Sequence, residues 1–143
     1  MIKLCVFDFD STIMDGETID ILAAANNASD EVASITKRSM NGELDFFESL
    51  TARVKFLKGM PLSKANEICK NLPIMPGASE LIAALKQKGI KVVVFSGGFH
   101  IATNKMQEKL KFDANFANIL HHKDGILTGE VGGEMMFGSS KGE

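Results

Sequence analysis

Two aspartates one residue apart, Asp8 and Asp10, close a short apolar run and lead into Ser11 and Thr12. Alternate side chains of a strand share a face, so both carboxylates would point into the crevice where the strand stops. The first 20 residues hold five acids (Asp8, Asp10, Asp15, Glu17, Asp20) against one base, Lys3. Converging carboxylates repel, and two kinds of chemistry relieve the repulsion. A hard cation such as Mg²⁺ can sit between them. Alternatively the pair divides its roles, one ionised as a nucleophile and the other held protonated as a general acid. A turn rich in helix-capping acids has the same composition, so the pair alone leaves these readings open.

A second chemical feature is Ser96-Gly97-Gly98, directly after the apolar run Val92-Val93-Val94-Phe95. Glycine admits close backbone approach, and the start of a following helix offers free N–H groups, which together suit a phosphate. A tight strand-to-helix turn calls for the same glycines. Lys141 stands beside serines and glycine and by itself is a solvated tail lysine. His100, His121 and His122 have no metal spacing with one another or with a cysteine, and read as surface or helix-end residues. Cys5 and Cys69 fall in apolar stretches and read as buried free thiols of a reducing compartment.

The elements that must position these residues follow from periodicity. Residues 2–9 and 92–95 read as strands buried on both faces, as in parallel sheets covered by helices. Each runs into a turn and then a helical pattern, which predicts an α/β fold with its site at the strands' carboxyl ends. Residues 17–26, 30–40 and 45–58 read as helices, the last with Phe47, Leu50, Val54 and Leu57 at helical spacing. Pro61 precedes a further short helix, for which Ser63 is the predicted N-cap. No strand signal interrupts this stretch, so residues 15–74 form a helical cap inserted between core segments 1–14 and 75–143. Beyond it, 79–88 is a helix stopped by Gly89, and a helix carries Phe99, Ala102, Met106 and Leu110. Residues 117–120 and 126–131 flank Lys123-Asp124-Gly125 as a hairpin pair.

Composition bounds the rest. The 143 residues are 45% hydrophobic and 24% charged with a net charge of −2, an ordinary folded chain rather than a disordered or coiled one. That charge argues against nucleic-acid binding by bulk electrostatics. The early apolar run from Leu4 to Phe7 is cut short by Asp8, too soon for a signal peptide or membrane span. The expectation is a soluble, cytoplasmic protein with no membrane partner.

Taken in order, Asp8-x-Asp10-x-Thr12 ending one strand, Ser96 ending a second and Lys141 further on resemble the haloacid-dehalogenase-like hydrolases. Within that superfamily the chain resembles the phosphoserine phosphatase family. The likeness runs through Phe7-Asp8-Phe9-Asp10-Ser11-Thr12, Glu17-Thr18-Ile19-Asp20, Arg53-Val54, Pro76-Gly77-Ala78, Ser96-Gly97-Gly98-Phe99 and Ser140-Lys141-Gly142-Glu143. The resemblance implies a Rossmann-like parallel sheet with an inserted helical cap. It implies Asp8 as a nucleophile that carries the phosphoryl group and Asp10 as the acid and base. Mg²⁺ would sit between the Asp8 carboxylate, the Asp10 backbone carbonyl and the phosphate. Ser96, Gly97 and Lys141 would hold the phosphoryl oxygens. Glu17 and Arg53 match the acid and arginine that read the substrate, O-phosphoserine, and Arg53 shares a helical stripe with Phe46, Leu50 and Leu57. An arginine snorkelling from the rim of that stripe would have the same spacing. In the family further strands and an acidic loop with another Mg²⁺ carboxylate follow the lysine, whereas here Glu143 is last. The expectation is therefore a core lacking its C-terminal strands and third metal ligand, with an open sheet edge prone to self-association. Two other readings go with it: an inactive remnant that binds a partner, and a phosphatase for another small phosphate ester.

Overall fold

The computed structural model describes residues 3–133. Leu4–Phe7 (β1) lies parallel to Lys91–Phe99 (β2), with Val6 opposite Val93 and Phe7 opposite Val94. Ala114–Lys123 (β3) adds parallel to β2, and Ile126–Gly133 (β4) returns antiparallel, so the sheet order is β1-β2-β3-β4. The β3–β4 hairpin turns on Asp124 and Gly125, both at positive φ (54° and 76°), as a two-residue turn of this hand requires. The chain is thus an α/β protein, as its periodicity predicts.

Between β1 and β2 run Thr18–Ala25 (α1), Ser29–Met40 (α2), Phe46–Val54 (α3) and Leu62–Lys70 (α4), followed by Ala78–Gln87 (α5). His100–Leu110 (α6) joins β2 to β3. The predicted helix over 45–58 stops being α-helical at Val54 and continues as a 3₁₀ turn, Lys55–Leu57. α3 starts on a full capping box: Glu48 N–H donates to the Asp45 carboxylate (2.8 Å), and Asp45 N–H donates to the Glu48 carboxylate (3.2 Å). The predicted N-cap at Ser63 is corrected to Pro61. The Leu62 N–H, the first open donor of the helix, donates to the carbonyl of Gly125 at the hairpin tip (2.8 Å). Gly59 N–H to the Leu127 carbonyl (3.0 Å) and Leu127 N–H to the Met60 carbonyl (2.9 Å) complete this seam between the hairpin and the segment before α4.

One hydrophobic cluster holds the elements together, running from Leu22, Val32 and Val54 of the inserted helices to Val92 and Val94 of β2 and Met106 of α6. α5 and α6 both pack on β2. The opposite sheet face behaves differently. Leu4 and Val6 are 56% and 55% exposed, Val93 and Phe95 are half-buried, and Phe116, edge-on to Phe95, is 37% exposed. The expectation that β1 is buried on both faces is therefore corrected: one of its faces is bare. Cys5, on the covered side, is half-buried rather than buried, while Cys69 is buried. Among the described residues no helix is long and apolar enough to cross a membrane.

Candidate active site

The turn after β1 is built around one anchor. Phe9 is fully buried, and its carbonyl accepts from the N–H groups of Thr12 (3.1 Å), Ile13 (2.9 Å) and Met14 (3.0 Å). This tight wrap leaves the flanking Asp8 and Asp10 at the carboxyl end of the sheet, although β1 itself stops at Phe7. Asp8 takes the Phe9 N–H on Oδ1 (2.8 Å). Asp10 is gripped on Oδ1 by Thr18, through its backbone N–H (3.0 Å) and its hydroxyl (2.7 Å). The carboxylate thereby serves the open N–H end of α1. Burial pushes the Asp10 carboxyl above its ordinary range; the two Thr18 bonds pull it back, and repulsion from Asp8 and Asp20 adds to the rise.

Glu17 is the residue before α1, and its Oε1 accepts from the Ser11 hydroxyl (2.9 Å). Burial raises its carboxyl too, opposed by the Ser11 bond and aided by Asp10, Asp20 and Asp8. Arg53 reaches the same space from the last turn of α3. Its Nε–H donates to the Ser49 carbonyl (3.2 Å), and among the described residues no carboxylate stands within ion-pair distance of it. Burial lowers its pKa against the field of Asp20, Glu17 and Asp10, and a guanidinium keeps its charge regardless. The result is a half-buried fork able to pair with an anion.

β2 supplies the opposite wall, and here the structure corrects the expected strand end. β2 continues through Ser96, Gly97 and Gly98 to Phe99, with its register against β3 shifting between Phe95 and Phe99. Ser96 is fully buried, and its Oγ accepts from the Gly98 N–H (2.9 Å). A Cβ at Gly98 would fall 3.1 Å from Asp10 Oδ2 and 3.1 Å from Ser96 Oγ, so glycine here makes room for the acid. The buried Asn118 of β3 donates from Nδ2 to the Gly97 carbonyl (3.2 Å).

Asp8, Asp10, Glu17, Arg53 and Gly97 line a single pocket of about 140 Å³. Ser96 lies behind its wall, and Lys141 lies outside the described residues. Sequence reasoning gave neither Thr18 nor Asn118 a role: Thr18 sits inside the Glu17-Thr18-Ile19-Asp20 motif, but nothing in its spacing marks it as the partner of Asp10. His100 is a half-buried helix-end residue, as expected, and its Nδ1 meets Asn115 Oδ1 (2.7 Å). Among the described residues no three His, Cys, Asp or Glu side chains converge to hold a metal. The donors present nevertheless fit Mg²⁺, which takes one or two protein carboxylates and fills its remaining sites with water and phosphate. Asp8 lines the pocket, and no described N–H donates to the Asp10 carbonyl.

A sheet read at its carboxyl end, with paired aspartates facing a glycine-bearing strand, is the arrangement of a phosphoryl-handling hydrolase. A family model for haloacid dehalogenase-like hydrolases matches residues 2–137, and the chain belongs to that family. Closer relatives specify the branch. The chain is 66% identical to phosphoserine phosphatase of Wolinella succinogenes over 99% of its own length and 68% of the relative's. It is 48% identical to phosphoserine phosphatase of Methanocaldococcus jannaschii, over 99% and 67%. A solved substrate-bound phosphoserine phosphatase complex superposes with a TM-score of 0.91 at 46% identity, over 99% of this chain and 68% of that one. A phospho-aspartyl intermediate analogue of phosphoserine phosphatase gives 0.90 at 48%, over 99% and 68%. The chain thus falls within the phosphoserine phosphatase branch of these hydrolases, and spans about two thirds of the length of these relatives.

Proposed function

We propose that this chain carries the site of an O-phosphoserine phosphatase that works through a covalent phosphate on Asp8. The observation that carries the reading is the division between two carboxyl groups of one pocket: Asp8 exposed, and Asp10 half-buried, clamped by Thr18 and raised in pKa. An Asp8 oxygen attacks phosphorus while the bond from phosphorus to the serine oxygen breaks, and Asp10 delivers its proton to that oxygen. Water then attacks phosphorus, Asp10 takes the water's proton, and the bond from phosphorus to Asp8 breaks. Phosphate leaves and both carboxyl groups are restored.

Gly97 is assigned to the phosphoryl oxygens from the pocket wall; Ser96 and Lys141 join it on the strength of the family likeness, although the Ser96 side chain is fully buried behind that wall. The Asp8 carboxylate and the Asp10 carbonyl would hold Mg²⁺, which when bound supplies Lewis-acid neutralisation of phosphoryl charge. The substrate's carboxylate goes to Arg53 and its ammonium to Glu17. Both residues belong to segment 15–74, which is proposed as a substrate-reading cap on a core of 1–14 and 75–143. A cytoplasmic setting in serine biosynthesis accords with two free cysteines.

The test is a pair of substrates. A site built to pair a charge is heavily penalised when the partner goes, so Arg53→Ala should lower kcat/KM for O-phosphoserine by on the order of a hundredfold. The loss on p-nitrophenyl phosphate, which lacks a carboxylate, should be much smaller. Equal losses on both would remove the amino-acid-reading role.

A further inference from the structure

The register between β2 and β3 breaks where the pocket wall begins. Phe95 stands opposite Phe116 and Phe99 opposite Asn118, so Ser96, Gly97 and Gly98 of β2 span the distance that Ala117 alone covers in β3. Three residues against one make a bulge, and a bulge takes backbone groups out of the ladder. A carbonyl freed in this way inside a protein needs another donor.

Side chains replace the ladder here. The Gly97 carbonyl accepts from Nδ2 of Asn118 (3.2 Å), and the Gly98 N–H donates to Oγ of Ser96 (2.9 Å). That carbonyl and that N–H belong to one planar peptide unit, so the unit is held at both ends and cannot rotate without losing both bonds. Asn118 and Ser96 are fully buried and are not among the residues that line the pocket, whereas Gly97 and Gly98 are. The bulge also runs close to the acid, since a Cβ at Gly98 would stand 3.1 Å from Asp10 Oδ2.

We propose that Asn118 is a positioning residue: by holding the Gly97 carbonyl it fixes the bulge of β2 and so aims Gly97 at the phosphoryl group. This rests on the phosphatase reading and adds to it a residue that acts from behind the pocket wall. Asparagine suits the task because its amide is a neutral donor. A leucine of similar size would leave the carbonyl unpaired, and an ionised aspartate of the same shape would set an acceptor against an acceptor.

The experiment follows kcat/KM for O-phosphoserine, inhibition by inorganic phosphate and the unfolding midpoint in the wild type, Asn118→Leu and Asn118→Asp, across the mildly acidic to neutral range. Asn118→Leu should lower kcat/KM by on the order of a hundredfold and weaken inhibition by phosphate, because Gly97 is no longer held on target. Asn118→Asp should show a similar deficit at neutral pH and recover toward the wild type on acidification, because a protonated carboxyl regains a donor for the Gly97 carbonyl. Taking the ratio to wild type at each pH removes the titration of the pocket's own acids. A stability role alone would lower the midpoint without making that ratio depend on pH. In the wild type, the side-chain amide resonances of Asn118 should shift when inorganic phosphate is added, a readout that needs no variant to fold. Three results would each overturn the positioning role and leave the phosphatase reading intact: an Asn118→Asp deficit flat with pH, an Asn118→Leu variant that turns over and binds phosphate like the wild type, or Asn118 amide signals unmoved at saturating phosphate. A wild type that neither turns over O-phosphoserine nor binds inorganic phosphate would bring down the phosphatase reading, and this proposal with it.

Discussion

At the scale of single residues, the pocket depends on side chains whose work is to hold other side chains. Thr18 is 1% exposed and spends both its N–H and its hydroxyl on one oxygen of Asp10. Thr18→Val keeps the shape and removes the hydroxyl bond, leaving a buried acid short of a donor. The expected loss of unfolding free energy is about 1–3 kcal/mol, read from denaturant unfolding, with a fall in kcat. An unchanged midpoint and turnover would mean that the backbone N–H alone positions Asp10. Cysteine chemistry divides along the same lines of burial. Desolvation pushes the Cys69 thiol up to about 12, so near neutral pH it holds its proton and presents almost no thiolate, whereas Cys5 is half-buried. Thiol labelling of the folded protein should modify Cys5 first and Cys69 only on unfolding; early labelling of Cys69 would show that α4 opens readily. Asp8, Asp10, Glu17 and Arg53 all line the pocket; the first two were marked by strand alternation and motif, Glu17 by the family likeness, and Arg53 by that likeness and its helical stripe. Thr18 and Asn118 were not, since a residue that positions another by a hydrogen bond has no period and no charge to mark it.

At the scale of elements, the periodic ones were legible and the joints between them were not. α2 and α5 lie within a residue or two of their expected bounds. The seam between residues 59–62 and the hairpin tip was invisible, because it is made by backbone groups far apart in sequence. The N-cap of α4 lies two residues ahead of the predicted Ser63, with no side-chain cap, and the helix's first N–H, of Leu62, is taken by the Gly125 carbonyl from another element. Gly129 marks how closely the hairpin lies. It sits at φ +86, and a Cβ there would meet Lys58 Cβ at 3.0 Å and the Lys55 carbonyl oxygen at 3.3 Å. Gly129→Ala should therefore cost about 1–3 kcal/mol through backbone strain and crowding. Hydrogen exchange should show the Gly59, Leu62 and Leu127 amides protected together in the wild type and loosened together in the variant. Independent exchange of the three would mean that the seam is not a cooperative unit.

For the whole molecule, the bare sheet face is the feature that composition could not reveal. An apolar run in a strand reads as doubly buried, but Leu4 and Val6 face outward because α5 and α6 pack on β2 beside the Val92 and Val94 side chains. With Val93, Phe95 and Phe116 they form a continuous apolar strip across three strands. Such a strip favours association with another surface. The 143-residue chain is expected to bind a hydrophobic dye and to self-associate as concentration rises, and Leu4→Lys with Val6→Thr should reduce both. Light scattering that finds a dye-free monomer at all concentrations would contradict this.

The central claim is that Asp8 carries the phosphoryl group. It is tested most directly by mixing the protein with O-phosphoserine and Mg²⁺, quenching in acid within a turnover, and mapping the phosphate by mass spectrometry. The account requires a base-labile phosphate on the peptide that contains Asp8, formed and released more slowly in Asp10→Asn because both proton transfers lose their carrier, and absent in Asp8→Asn. Release of phosphate by Asp8→Asn at the wild-type rate, or a phosphate mapped to another residue, would contradict it.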